Sequence, residues 1–198
     1  MPAGSAATLS GPTAVNPTFI ADLDGSYVLE LVVNDGQMDS VPDTVVIRAA
    51  RYAFTFDDGT LQGWTTNGSW GLTGVYAHSG IFSVTDSPGG NYFNNSNTSL
   101  ISPVLDLTGT TSPALMFYHL YLIESGYDNG LIEISTDGDA TFGPAVRSYS
   151  GSLSSFTLVT VDLSPYKSFS TVVIRFRLTT DASVTYDGWY VDDIMIVP

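Results

Sequence analysis

TVVIRFRLTT, residues 171–180, decides the fold. Val172, Ile174, Phe176 and Leu178 alternate with Val173, Arg175 and Arg177. A period of two puts one set on a core face and the other on a wet face, which is the pattern of a half-buried strand. Similar runs lie on both sides: YVLELVV (27–33), DTVVI (43–47), YAFTF (52–56), IFSVT (81–85), ALMFYHLYLI (114–123), GLIEIS (130–135), FTLVTVDL (156–163) and WYVDDIMIV (189–197). Gly, Pro, Asn and Asp cut them apart, and no stretch sustains a helical period. This predicts an all-β chain, an antiparallel jelly roll or β-sandwich.

A seam falls near Ala49-Ala50-Arg51, giving expected domains 1–50 and 51–198. The first holds a single hairpin, YVLELVVND, the turn DGQMDS and VPDTVVI. The second is richer in aromatics. A hairpin with no further strands leaves an apolar face and open edges. Either it belongs to a longer protein, or another copy supplies the missing strands.

Composition narrows the function. The 198 residues carry 20 acidic and 6 basic side chains, a net charge of -14. That surface repels nucleic acid and anionic membranes and attracts cations. Of the acids, 17 are Asp and 3 are Glu. Asp favours turns and serves as an oxygen ligand for hard cations. With no cysteine there is no disulfide framework, thiolate metal site or cysteine nucleophile. No apolar run is long enough to span a membrane. The opening MPAGSAATLSG lacks the basic start and apolar stretch of a secretion signal.

Two resemblances emerge. PTF (17–19), GSY (25–27), VVNDG (32–36) and PDTV (42–45) resemble the C-terminal half of a PKD-type immunoglobulin-like domain. From Tyr52 onward the landmarks FDDGTLQGW (56–64), GSW (68–70), HSG (78–80), DSPGGNY (86–92), LISPVLDLTG (100–109), LMFYHLYLIESGYDNGLIEISTDGD (115–139), VDLSPY (161–166) and DGWYVDDIMI (187–196) come in order. Together they resemble the MAM-like jelly-roll modules of immune inhibitor A-type secreted bacterial proteins.

The second resemblance implies a structural calcium where the first and last strands meet. The matching carboxylates are Asp57, Asp86 and Asp193, with Asp193 rather than Asp192 turned inward. Calcium takes six to eight oxygens in irregular geometry, and buried carboxylates without a cation repel. A second candidate is ESGYDNG, with Glu124 and Asp128, near Asp187. Asp-Asn-Gly is also strong hairpin chemistry. STDGDATFG (135–143) and NDGQMD (34–39) read as plain turns.

Catalytic signatures are absent. His78 and His119 are the two histidines, and neither HExxH nor G-x-S-x-G occurs. His119 reads as a core-edge residue bonded to a neighbour. Glu124 and Glu133 could in principle form a glycosidase pair, but Glu133 reads as outward-facing in LIEIS. Trp64, Tyr76 and Tyr127 are candidates for a sugar-stacking surface, weighed against ordinary core packing. The expectation is a calcium-stabilised, extracellular or cell-surface, non-catalytic β module for adhesion, spacing or assembly. Its partner would be a protein or its own copies. The alternatives are a carbohydrate-binding module of a secreted enzyme and a self-assembling filament subunit.

Overall fold

The computed structural model describes all residues, 1–198. They form two compact units, residues 1–52 with 197–198, and residues 53–196.

In the first unit, β1 (Gly25–Leu31) pairs antiparallel with β2 (Asp43–Ala49), in a register running from Gly25↔Ala49 to Leu31↔Asp43. Tyr27 anchors it. The residue is wholly buried, its ring lies 5.3 Å from that of Phe19, and its hydroxyl sits 2.9 Å from the Asp22 carboxylate. The turn closes through Asn34, whose side-chain amide donates to Asp39 at 2.6 Å. Val28, Leu31, Val45 and Val46 stay more than half exposed. Nothing else adds to this two-stranded sheet, and an isolated hairpin is marginal in water.

The second unit is a two-sheet sandwich. Its strands are β3 (Tyr52–Phe54), β4 (Thr65–Asn67), β5 (Gly71–Thr73), β6 (Ser83–Thr85), β7 (Asn97–Ile101), β8 (Ala114–Leu122), β9 (Asn129–Ser135), β10 (Arg147–Tyr149), β11 (Ser152–Asp162), β12 (Val173–Thr179) and β13 (Gly188–Val197). One sheet runs β10-β9-β12-β7-β4. The other runs β11-β8-β13-β6-β5, with β3 also on β13. β12 is antiparallel to both β9 and β7, and β13 to β6.

The alternation in β12 holds from Ile174 onward: Ile174, Phe176 and Leu178 are buried while Arg175 and Arg177 are partly exposed, but Val173, expected on the wet face, is buried too. Phe176 faces Phe117 at 5.1 Å, Trp189 at 5.5 Å and Trp64 at 5.8 Å, which joins the two sheets through one aromatic cluster. Burying such rings supplies much of a sandwich core's stability. Gly130 is required beneath it, since a Cβ there would lie 2.7 Å from Trp189 Cε3.

β13 departs from simple alternation. Asp193 adopts φ 47°, in the left-handed region. The phase of the strand changes there, so Val191 and Ile194 are both buried. Asp192 is the fully buried aspartate and Asp193 is only partly covered. That reverses the expected choice of Asp193 as the buried one: the 78–79 turn folds over Asp192, whose carboxylate accepts from the backbone N–H groups there.

Candidate metal centre and ligand surface

The acidic residues separate into distinct neighbourhoods. Asp57 and Asp193 both lie against the 78–82 turn. Asp57 accepts from the backbone N–H of Ile81 at 2.8 Å and Phe82 at 3.3 Å. Asp193 sits 2.6 Å from His78 Nδ1 and accepts from the Ser79 hydroxyl at 2.9 Å. Asp192 accepts from His78 N–H at 2.7 Å, and burial pushes its carboxyl up to about 6. Backbone amides thus compensate Asp57 and Asp192, and side chains compensate Asp193.

Asp86 stands apart from that turn. It accepts from Trp189 N–H at 2.6 Å, and its second oxygen is buried without a partner. Burial pushes its carboxyl up to about 7. Asp57, Asp86 and Asp193 therefore do not close into one three-carboxylate group. The only such group with ligand atoms within 4.8 Å of one another is Glu124, Asp128 and Asp181.

Glu124 and Asp128 belong to the turn between β8 and β9, and Asp181 to the loop between β12 and β13. Asp128 is wholly buried and accepts from Asp181 N–H at 2.8 Å. Its other oxygen, and Oε2 of Glu124, are buried without a close hydrogen bond, though the Tyr92 hydroxyl stands beside the Asp128 carboxylate. The carboxyl of Glu124 is raised by burial and then by the charges of Asp181 and Asp128. The Tyr92 hydroxyl accepts from Glu124 N–H at 3.0 Å. Asp187 lies elsewhere. It lines a groove of about 240 Å³ with Tyr76, Leu120, Tyr121, Leu122 and Ser152 to Ser154.

Asp181 is the residue that the sequence reading missed. The register supplies the signal that could have found it, because Thr179 opposes Asn129 across β12 and β9. Residues just beyond those two must meet.

Of the three aromatic ligand candidates, Tyr76 and Tyr127 are exposed, at 48% and 66%. Trp64 is not available: it is 4% exposed and meets Phe54 edge-on at 5.4 Å. The core claims its ring because the sandwich needs a large side chain between the sheets.

Both histidines are held by neighbouring side chains. The Ser79 hydroxyl and the His78 ring nitrogen both address Asp193, and the His78 ring stacks on Tyr118 at 3.4 Å. His119 is buried, and its Nδ1 accepts from Trp189 Nε1–H at 3.2 Å. Burial lowers its pKa to about 4, which keeps the ring neutral. Glu133 points to the outer face of β9, as its alternation suggests, yet it is covered there by Arg175 and Arg177. The carboxylates of the STDGD and NDGQMD turns bond their own loops: Asp137 accepts from Thr141 and Asp35 from Gln37 and Met38.

No protein-family model matches the chain. Bacillopeptidase F of Bacillus subtilis (strain 168) is 30% identical over 142 residues, 68% of this chain. The match spans 10% of that relative's length. The K3 cleaved adhesin domain of Lys-gingipain from Porphyromonas gingivalis W83 superimposes with TM-score 0.54 at 18% identity, covering 75% of this chain and 99% of that one. The C-terminal family 22 carbohydrate-binding module of Clostridium thermocellum Xyn10B gives TM-score 0.51 at 13% identity, covering 75% and 93%. The second unit thus has the β-sandwich fold shared by bacterial adhesin and carbohydrate-binding domains. No helix is long and apolar enough to cross a membrane.

Proposed function

We propose that this chain is a non-catalytic extracellular β module for adhesion, spacing or protein assembly, stabilised by calcium. Residues 51–198 are read as a MAM-like jelly roll and residues 1–50 as the C-terminal half of a PKD-type immunoglobulin-like domain. One observation carries the reading. The sandwich shares the fold of an adhesin domain, while the groups that chemistry would need are engaged in structural contacts, with Ser79 and His78 both on Asp193 and Glu133 under two arginines.

The groove at Tyr76 and Tyr121, beside the Asp187 carboxylate, supports the carbohydrate-binding alternative. Aromatic faces next to a polar acceptor suit a sugar, and Tyr76 is held edge-on by Tyr190 at 5.2 Å. The exposed valines of the lone hairpin support self-assembly by strand exchange.

The test is solid-phase binding of the full chain to immobilised extracellular proteins and to a polysaccharide panel, with light scattering alongside. Saturable protein binding supports the adhesion reading. Polysaccharide binding lost in Tyr76→Ala supports the sugar module, and concentration-dependent growth in size supports assembly. Turnover of peptide, ester or glycoside substrates overturns the non-catalytic reading.

A further inference from the structure

Three carboxylates share one small volume at the junction of three loops. The ligand atoms of Glu124, Asp128 and Asp181 lie within 4.8 Å of one another. A cation bound at about 2.3–2.6 Å from each oxygen fits between ligands so spaced. Asp128 has no solvent exposure, and one of its oxygens makes no close hydrogen bond, with the Tyr92 hydroxyl the neutral donor beside the carboxylate. Oε2 of Glu124 is in the same position. Arg175 and Arg177 are both engaged on Glu133. A buried, unpartnered carboxylate oxygen is costly unless a proton or a cation meets it.

We propose that Glu124, Asp128 and Asp181 form a divalent-cation site of calcium type that fastens the β8–β9 turn to the β12–β13 loop. The inference rests on the calcium part of the functional reading and assigns its site. An all-oxygen set on irregular loops suits calcium better than magnesium, which demands near-octahedral geometry, or zinc, which favours nitrogen and sulfur.

The loops are already close enough to be fastened. Asp181 C=O accepts from Asn95 N–H at 2.6 Å, and Ala182 C=O accepts from the Asn94 side chain at 3.1 Å. Residues 94–96 thus form the third side of the junction. Phe93 and Tyr127, 71% and 66% exposed, ride on two of its loops. Cation binding fixes the spacing of those rings and links the acidic cluster to the ligand surface.

The experiment uses the full chain. Terbium is titrated in while the protein aromatics are excited, since Tyr92 stands at the site, and calcium is then added as competitor. Hydrogen exchange of residues 92–96, 123–129 and 180–186 is measured with and without calcium. The expected result is sensitised emission that calcium displaces, calcium-dependent protection of all three segments, and affinity lowered about tenfold or more in Asp128→Asn and Asp181→Asn. Asp181 is partly exposed, so Asp181→Asn keeps the test valid should Asp128→Asn fail to fold. Emission and protection that survive Asp181→Asn but vanish in Asp57→Asn overturn this site and leave the calcium reading standing. No displaceable emission in the wild type overturns both.

Discussion

Glu133 is held by two arginines at once: Arg175 Nε donates to its Oε2 at 2.7 Å, and Arg177 Nη2 to its Oε1 at 2.6 Å. The three residues sit side by side because β12 and β9 pair Arg175 directly with Glu133. Arg175 also lies over the Phe142 ring, 3.8 Å from its centroid. With Glu133 only 5% exposed, this is a covered ion cluster on the outer face of the sheet. Removing one member of such a cluster costs more than the cluster itself contributes. Glu133→Ala is expected to lower stability by about 3 kcal/mol, measured by denaturant unfolding. Glu133→Gln, which keeps the acceptor oxygen, should lose less. Equal losses would mean that the charge carries no weight there.

His119 supplies the acceptor for the buried Trp189 indole N–H. Replacing it with Leu leaves that donor bare, at a cost of about 1–3 kcal/mol. Gln can still accept and should recover part of the loss. Thermal melts of the two variants side by side check this. A His119→Leu protein as stable as the wild type would show that the bond contributes nothing.

The buried carboxyl of Asp86 predicts an unusual pH response. Its folded pKa of about 7 lies above the unfolded value, about 3.9. The folded state therefore holds the proton more tightly, and stability falls as pH rises from about 4 through 7. Asp192, raised to about 6, acts in the same direction. His119, lowered to about 4, acts oppositely between about 6.5 and 4, because the unfolded state there binds its proton first. Between pH 8 and 6.5 the acids outweigh His119, whose unfolded-state protonation is only half complete at the lower end. In calcium-free buffer the melting temperature should rise on acidification across that interval, and Asp86→Asn should flatten the rise.

Gly130 gives the clearest steric test. A methyl group there meets the six-membered ring of Trp189, which is itself packed edge-on against Trp70 at 6.0 Å. Overpacking at such a place costs about 1–3 kcal/mol. Gly130→Ala should show that loss in unfolding, together with a change in tryptophan near-UV signal. Gly89→Ala, where nothing lies within 4 Å, serves as the neutral control.

Asp193→Asn addresses the histidine turn. It weakens the contacts to His78 and Ser79 and should loosen residues 78–82, seen as faster amide exchange. Ester turnover should stay at the uncatalysed level in both the wild type and Ser79→Ala. Turnover in the wild type that is lost in Ser79→Ala would identify Ser79 as a nucleophile.

The long strands were legible because their apolar alternation is strong, as in β12 and β9. β4 (TTN) and β10 (RSY) were not, being three-residue polar segments that are strands only because β7 and β9 lie beside them. In the acid cluster, ESGYDNG pointed to Glu124 and Asp128. Asp181 stayed hidden because its partners lie 53 or more positions away, brought near only by strand register. The burial of Asp192 could not be read from alternation, since it comes from a turn more than a hundred residues earlier that folds over it. Trp64 looked available for a ligand until the second sheet arrived to cover it.

β13 lies in the middle of its sheet, between β8 and β6, though it comes last among the strands. β8 and β6 share no neighbour until residues 188–197 have been made. The sandwich therefore cannot close while the ribosome is still working through its earlier strands, and pairings so distant in sequence form slowly. Until then the β11-β8 pair and the β6-β5 pair stand apart, each with an open edge where β13 will lie.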